Sequence, residues 1–138
     1  MIFGEKEAEK ILRKIDFEKM DGLVPVTVQD YENNQVLMVA FANRTAVLKS
    51  LITGYAHFYS RSRKILWKKG ETSGHVQKIR EIYLDCDNDA LIYKVDQILA
   101  SCHDGYRTCF YQKLDLSGNW VVVYEKIFEP ERTYGKRE

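Results

Sequence analysis

The chain has 138 residues, 45% of them hydrophobic, which suits one domain around one core. Lys and Arg number 21 and Asp and Glu 20, so the net charge of +1 argues against a general nucleic-acid binder, which is usually clearly basic. No apolar run approaches the ~20 residues of a membrane helix, MIFGEKEAEK lacks a signal peptide's apolar stretch, and three cysteines do not make a disulfide framework; a cytoplasmic protein with one domain over residues 1–138 is expected.

From Glu5 to about Ile15, Ala8, Ile11, Leu12 and Ile15 recur at helical spacing and predict an amphipathic helix. LVPVTVQDY alternates Val24, Val26 and Val28 and predicts a strand. Asn33-Asn34 reads as a hairpin turn, because Asn tolerates positive φ, and QVLMVAFA is apolar enough for a central strand. Asn43 suits the N-cap of a second helix that buries Ala46, Val47, Leu48, Leu51 and Ile52 and ends at Gly54. AHFYSR and KILWKK predict two strands, KGETSGHV a polar loop, and REIYLDC, ALIYKVDQI, RTCFYQKL and NWVVVYEKIF further strands. The expected fold is α+β, a mainly antiparallel sheet of seven or eight strands with two helices, joined by hairpins rather than by βαβ crossovers. No repeat, GxGxxG or phosphate-binding P-loop is present.

Three constellations carry chemistry. In Asp85-Cys86-Asp87-Asn88-Asp89, carboxylates at alternating positions are expected on one face of an extended chain, with Cys86 on the other. Oxygen donors suit magnesium or calcium, whereas a thiol serves a softer metal; the competing reading is an acidic turn beside a buried cysteine. Cys102-His103-Asp104-Gly105 and Cys109 form the second group. Two cysteines seven apart are equally consistent with core thiols, but with Cys86 all three fall within 24 positions. Three thiolates leave the fourth tetrahedral position of zinc open, the pattern of a catalytic site. His103 then acts as acid or base, or closes the site as a fourth ligand. The third group is FYSRSRKILWKKGETSGH. Arg61, Arg63 and Lys69 suit phosphate, Trp67 suits stacking on a base, and Glu71, Thr72 and Ser73 lie in a loop able to bind an anion; the alternative is a solvated basic hairpin. His57 reads as partly buried, and His75, after the GETSG loop, is a second candidate acid or base.

Together, FYSRSRKILWKKGETSGHVQ, DCDNDALIYKV and SCHDGYRTCFY resemble the phosphoribosyl-AMP cyclohydrolase family, in order and in spacing, over about Leu23 to Tyr111. That family often has Gly-Pro before its Cys-His segment, where Leu99-Ala100-Ser101 stand here. The resemblance implies zinc on Cys86, Cys102 and Cys109, magnesium on Asp85, Asp87 and Asp89, and a homodimer with each zinc shared between subunits. It implies a nucleotide substrate whose adenine ring is opened at N1–C6, a step of histidine biosynthesis, after water activated by zinc attacks C6. The single-activity form, without a fused pyrophosphohydrolase, is expected. Neither of two rival readings is favoured. A zinc module binding RNA through Arg61, Arg63, Trp67 and Lys69 is opposed by the neutral charge, and a zinc deaminase by the absence of H-x-E with P-C-x-x-C.

Overall fold

The computed structural model describes residues 1–130; the last eight positions of the expected 1–138 domain lie outside the described residues. The elements run α1 (Glu5–Leu12), β1 (Leu23–Asp30), β2 (Val36–Asn43), α2 (Arg44–Thr53), β3 (His57–Ser60), β4 (Ile65–Lys68), β5 (Gln77–Leu84), β6 (Leu91–Gln97), β7 (Gln112–Leu114) and β8 (Trp120–Val122). This is the expected α+β class with two helices and mainly antiparallel pairing.

Local chemistry explains most boundaries. The Asn43 side chain accepts a 2.8 Å hydrogen bond from the Ala46 amide and opens α2, a cap worth about 1 kcal/mol. Gly54 ends α2 at φ 80°, and a Cβ there would meet the Met1 carbonyl oxygen at 2.8 Å. Asn34 takes φ 62° in the β1–β2 turn. Ile52, expected on the buried side of α2, is exposed; Ala46, Val47, Ser50 and Leu51 form that side instead.

The four-stranded sheet has the order β2-β1-β6-β5. β1–β2 and β5–β6 are antiparallel hairpins, but β1 and β6 run parallel, with Val26 opposite Leu91 and Asp30 opposite Val95. This parallel seam departs from the all-hairpin expectation: it joins two hairpins over some sixty residues of sequence, and alternating apolarity does not encode strand partners. Val24, Val26, Val28, Tyr93 and Val95 of the seam, Ala8 and Leu12 of α1, Val47 and Leu51 of α2, and Phe58 of β3 are buried in one cluster. At the C-terminal side, only Gln112–Leu114 of RTCFYQKL and Trp120–Val122 of NWVVVYEKIF form strands. The Cys102–Cys109 loop is occupied with other hydrogen bonds, including Cys102 N–H to the Tyr106 carbonyl at 3.1 Å. No helix among the described residues is long and apolar enough to cross a membrane.

Candidate active site

The β3–β4 hairpin and the loop after it wall a cleft of roughly 940 Å³. Arg61, Arg63, Trp67, Lys69, Glu71, Thr72 and Ser73 all line it, so the structure gathers every residue proposed for substrate, and it adds Phe41 and Tyr59. The Arg61 guanidinium lies 3.9 Å from the centroid of the Phe41 ring. Trp67 packs against buried Phe58, centroids 5.2 Å apart, which fixes its ring beside the cleft. Gly70 turns the chain into the GETSG loop at φ 83°; any Cβ there would lie 2.5 Å from the His75 carbonyl carbon. The Ser73 hydroxyl already accepts the His75 amide at 3.1 Å, so it braces the loop.

His103 also lines the cleft, and its chain neighbour Cys102 is buried against Cys109. The two thiols share a hydrogen bond. Donation from the Cys109 thiol holds Cys102 at about 6, helped by the Asp104 amide 3.4 Å from its sulfur. The same bond, with burial, pushes the Cys109 thiol up. Lys69 lines the cleft with its ammonium tied to the backbone. Its Nζ donates to the Ser101 carbonyl at 2.6 Å, burial lowers its pKa, and the two thiols oppose that lowering. His75 does not line the cleft. It is buried edge-on to Phe128, centroids 4.9 Å apart, its Nδ1 has no hydrogen-bond partner among the described residues, and burial, followed by the Lys69 charge, lowers its pKa. His57 is buried as expected, with Nδ1 2.8 Å from the Tyr55 carbonyl.

The carboxylates converge for a reason other than the alternation expected of an extended strand. β5 ends at Leu84, and residues 85–89 form a turn with Asn88 at φ 65°. Asp85 Oδ1 accepts the amides of Asp89 at 2.9 Å and Ala90 at 3.2 Å, folding the segment back on itself. Carboxylate oxygens of Asp85, Asp87 and Asp89 thereby lie within 4.8 Å of one another, the one such trio of Asp, Glu, His or Cys donors among the described residues. Lys19, which no sequence motif marks, supplies countercharge: its Nζ is 3.4 Å from Asp87 Oδ2 and 3.5 Å from Asp89 Oδ2. It stands 68 positions from Asp87 without a local motif. Mutual hydrogen bonding lowers the pKa of Asp87, while partial desolvation and the Asp87 contact raise that of Asp89. Cys86, in this same turn, is exposed and does not join Cys102 and Cys109 in a three-donor cluster within one chain.

An α+β domain with an open cleft lined by Arg61, Arg63, Trp67 and His103 is the architecture of a small-molecule enzyme. Residues 38–111 match the model of the phosphoribosyl-AMP cyclohydrolase family. The chain is 58% identical over 115 residues to a phosphoribosyl-AMP cyclohydrolase of Methanoregula boonei, covering 83% of this chain and 90% of that one. It is 51% identical over 134 residues to that of Methanospirillum hungatei JF-1, covering 97% and 98%. A third, from Pelotomaculum thermopropionicum, is 53% identical over 116 residues, covering 84% and 90%. The chain belongs to the phosphoribosyl-AMP cyclohydrolase family of enzymes.

Proposed function

We propose that the chain hydrolyses phosphoribosyl-AMP in the cytoplasm, as a step of histidine biosynthesis, using zinc and magnesium. The observation that carries this reading is a single cleft lined by Arg61, Arg63, Trp67 and His103, with His103 next in the chain to the low-pKa Cys102.

The donor sets fit the two metals. Cys102, already shifted towards thiolate, and Cys109 offer a soft pair that would hold zinc together with the partner subunit's Cys86. A homodimer sharing each zinc accounts for Cys86 standing apart within one chain. Zinc, when bound, lowers the pKa of water to about 7 and so supplies a nucleophile at neutral pH. Asp85, Asp87 and Asp89 offer only oxygen and would hold magnesium in place of the Lys19 ammonium, neutralising substrate phosphate.

The chain's own residues then have separate tasks. Arg61, steadied on Phe41, and Arg63 bind the phosphates. Trp67, braced by Phe58, offers a ring for the base. Substitution at N1 leaves the purine cationic and C6 electrophilic. Water oxygen adds at C6 and becomes the carboxamide oxygen as the N1–C6 bond breaks; the water's second proton leaves to solvent with the ring's positive charge and its first is delivered to N1, so one water is consumed and no ammonia leaves. His103, on the cleft wall, carries the proton delivered to N1. His75 ranks second because it is buried behind the loop.

The test is ultraviolet turnover of phosphoribosyl-AMP by protein of known metal content. Ring opening that needs zinc and magnesium and fails in Cys86→Ala, Cys102→Ala and Cys109→Ala is expected. Ammonia release, or full zinc and activity in all three variants, would reject the reading.

A further inference from the structure

The loop 98–109 carries Cys102, His103 and Cys109 yet contains no helix or strand. Its second half is tied to β2, with the Cys109 amide on the Leu37 carbonyl at 2.7 Å and the Thr108 hydroxyl on the Val36 carbonyl at 2.7 Å. Its first half begins at Leu99, a non-glycine residue at φ 53°, a conformation that persists only where surroundings enforce it. The enforcing group is Arg107. Nη1 donates to the carbonyls of Gln97 at 3.0 Å and Leu99 at 2.7 Å, and Nη2 donates to Asp30 Oδ2 at 2.7 Å. The Arg107 carbonyl also accepts the Ser101 amide at 2.9 Å.

Asp30 ends β1 beside β6, and its carboxylate is only 5% exposed. The guanidinium therefore clamps both strands of the parallel seam to the entry of the thiol loop. A planar fork with several donors can meet three oxygens at fixed angles, which a lysine ammonium on a flexible stem cannot do.

We propose that Asp30 and Arg107 are positioning residues that hold Cys102 and His103 in register with Cys109 for metal binding and turnover, an inference that rests on the zinc hydrolase reading above. Neither side chain touches the reacting atoms. Their effect passes through the backbone of Leu99–Cys102, as an outer-shell partner orients a ligand.

The experiment compares Arg107→Lys with Val47→Ala, a core change in α2 remote from the loop, at a temperature where both are folded. Zinc affinity is read by chelator competition, and kcat and KM by turnover. Arg107→Lys is expected to weaken zinc binding and to lower kcat, each by about 10- to 100-fold, with KM little changed. Val47→Ala should keep wild-type zinc affinity and kcat despite a lowered Tm. Wild-type zinc affinity and kcat in folded Arg107→Lys would overturn the proposal, as would equal losses in Val47→Ala. Should Arg107→Lys not fold, Asp30→Asn decides by the same measurements, and failure of both to fold would make the pair a folding element only. A wild-type protein that binds no zinc and turns nothing over would instead sink the zinc hydrolase reading, and this inference with it.

Discussion

The most quantitative consequence of the site concerns Cys102 in metal-free protein. Donation from the Cys109 thiol holds Cys102 at about 6, against about 8.5 for a free cysteine. At pH 7 this makes ~90% of Cys102 thiolate rather than ~3%. The rate of alkylation gains far less, because nucleophilicity falls as pKa falls. With a Brønsted slope of about 0.45, a difference of ~2.5 units costs roughly 13-fold. The net advantage at pH 7 is therefore only about two- to threefold, small enough to be mistaken for an accessibility effect. At pH 5.5 the thiolate ratio rises to ~240 and the net advantage to roughly 20-fold. The assay is iodoacetamide labelling across pH, with the Cys102 peptide quantified by mass spectrometry, in chelator-treated wild type and in Cys109→Ala. Wild type should titrate near 6, and removal of the Cys109 donor should move the midpoint up towards 8.5. A wild-type midpoint already near 8.5, or an unchanged midpoint in Cys109→Ala, would refute the thiol–thiol bond as the cause.

Three further outcomes are expected. His103→Ala should lower kcat by about 10²–10⁴-fold with zinc retained, and the larger loss occurring at His75→Ala would transfer the role to His75. Lys19→Gln should tighten magnesium binding by about two- to fivefold in a calorimetric titration at low salt, because an exposed ammonium leaves Asp87 and Asp89; weaker binding would contradict the countercharge role. Burial lowers the pKa of both His57 and His75. The unfolded chain therefore takes up protons near pH 6.5 that the folded chain refuses, and Tm of the metal-free protein should fall as pH drops below about 6.5. His75→Gln should flatten that fall, and an identical slope would remove His75 from the account.

What the sequence made legible was local. Asn43, Asn34 and Gly54 act within three or four residues, and the alternating valines of β1 report one buried face directly. Pairing across long separations was not legible: the parallel β1–β6 seam and the Lys19 contact carry no short motif. The carboxylate trio was identified by composition but with the wrong geometry, because the side-chain-to-backbone bonds of Asp85 bend a segment that alternation read as extended. The cleft residues of the Arg61–Ser73 hairpin were found because charge and aromatics cluster in sequence. Phe41 lies on β2, inside an apolar run indistinguishable from core, and only the fold brings it under Arg61. Lys69 is one of several cations in a basic run, and only the fold brings its ammonium onto the Ser101 carbonyl.

The proposed zinc hydrolase would take its thiol ligands from two copies of the chain, Cys102 and Cys109 from one and Cys86 from its partner. Mixing the inactive variants Cys86→Ala and Cys102→Ala tests this most directly, after dissociation and reassociation of the subunits. In a closed two-fold dimer, random exchange makes about half the dimers mixed, each with one intact and one doubly defective site. The mixture should regain about one quarter of wild-type turnover and a matching share of tightly bound zinc. No recovery of either, in a mixture shown to contain mixed dimers, would contradict the shared site.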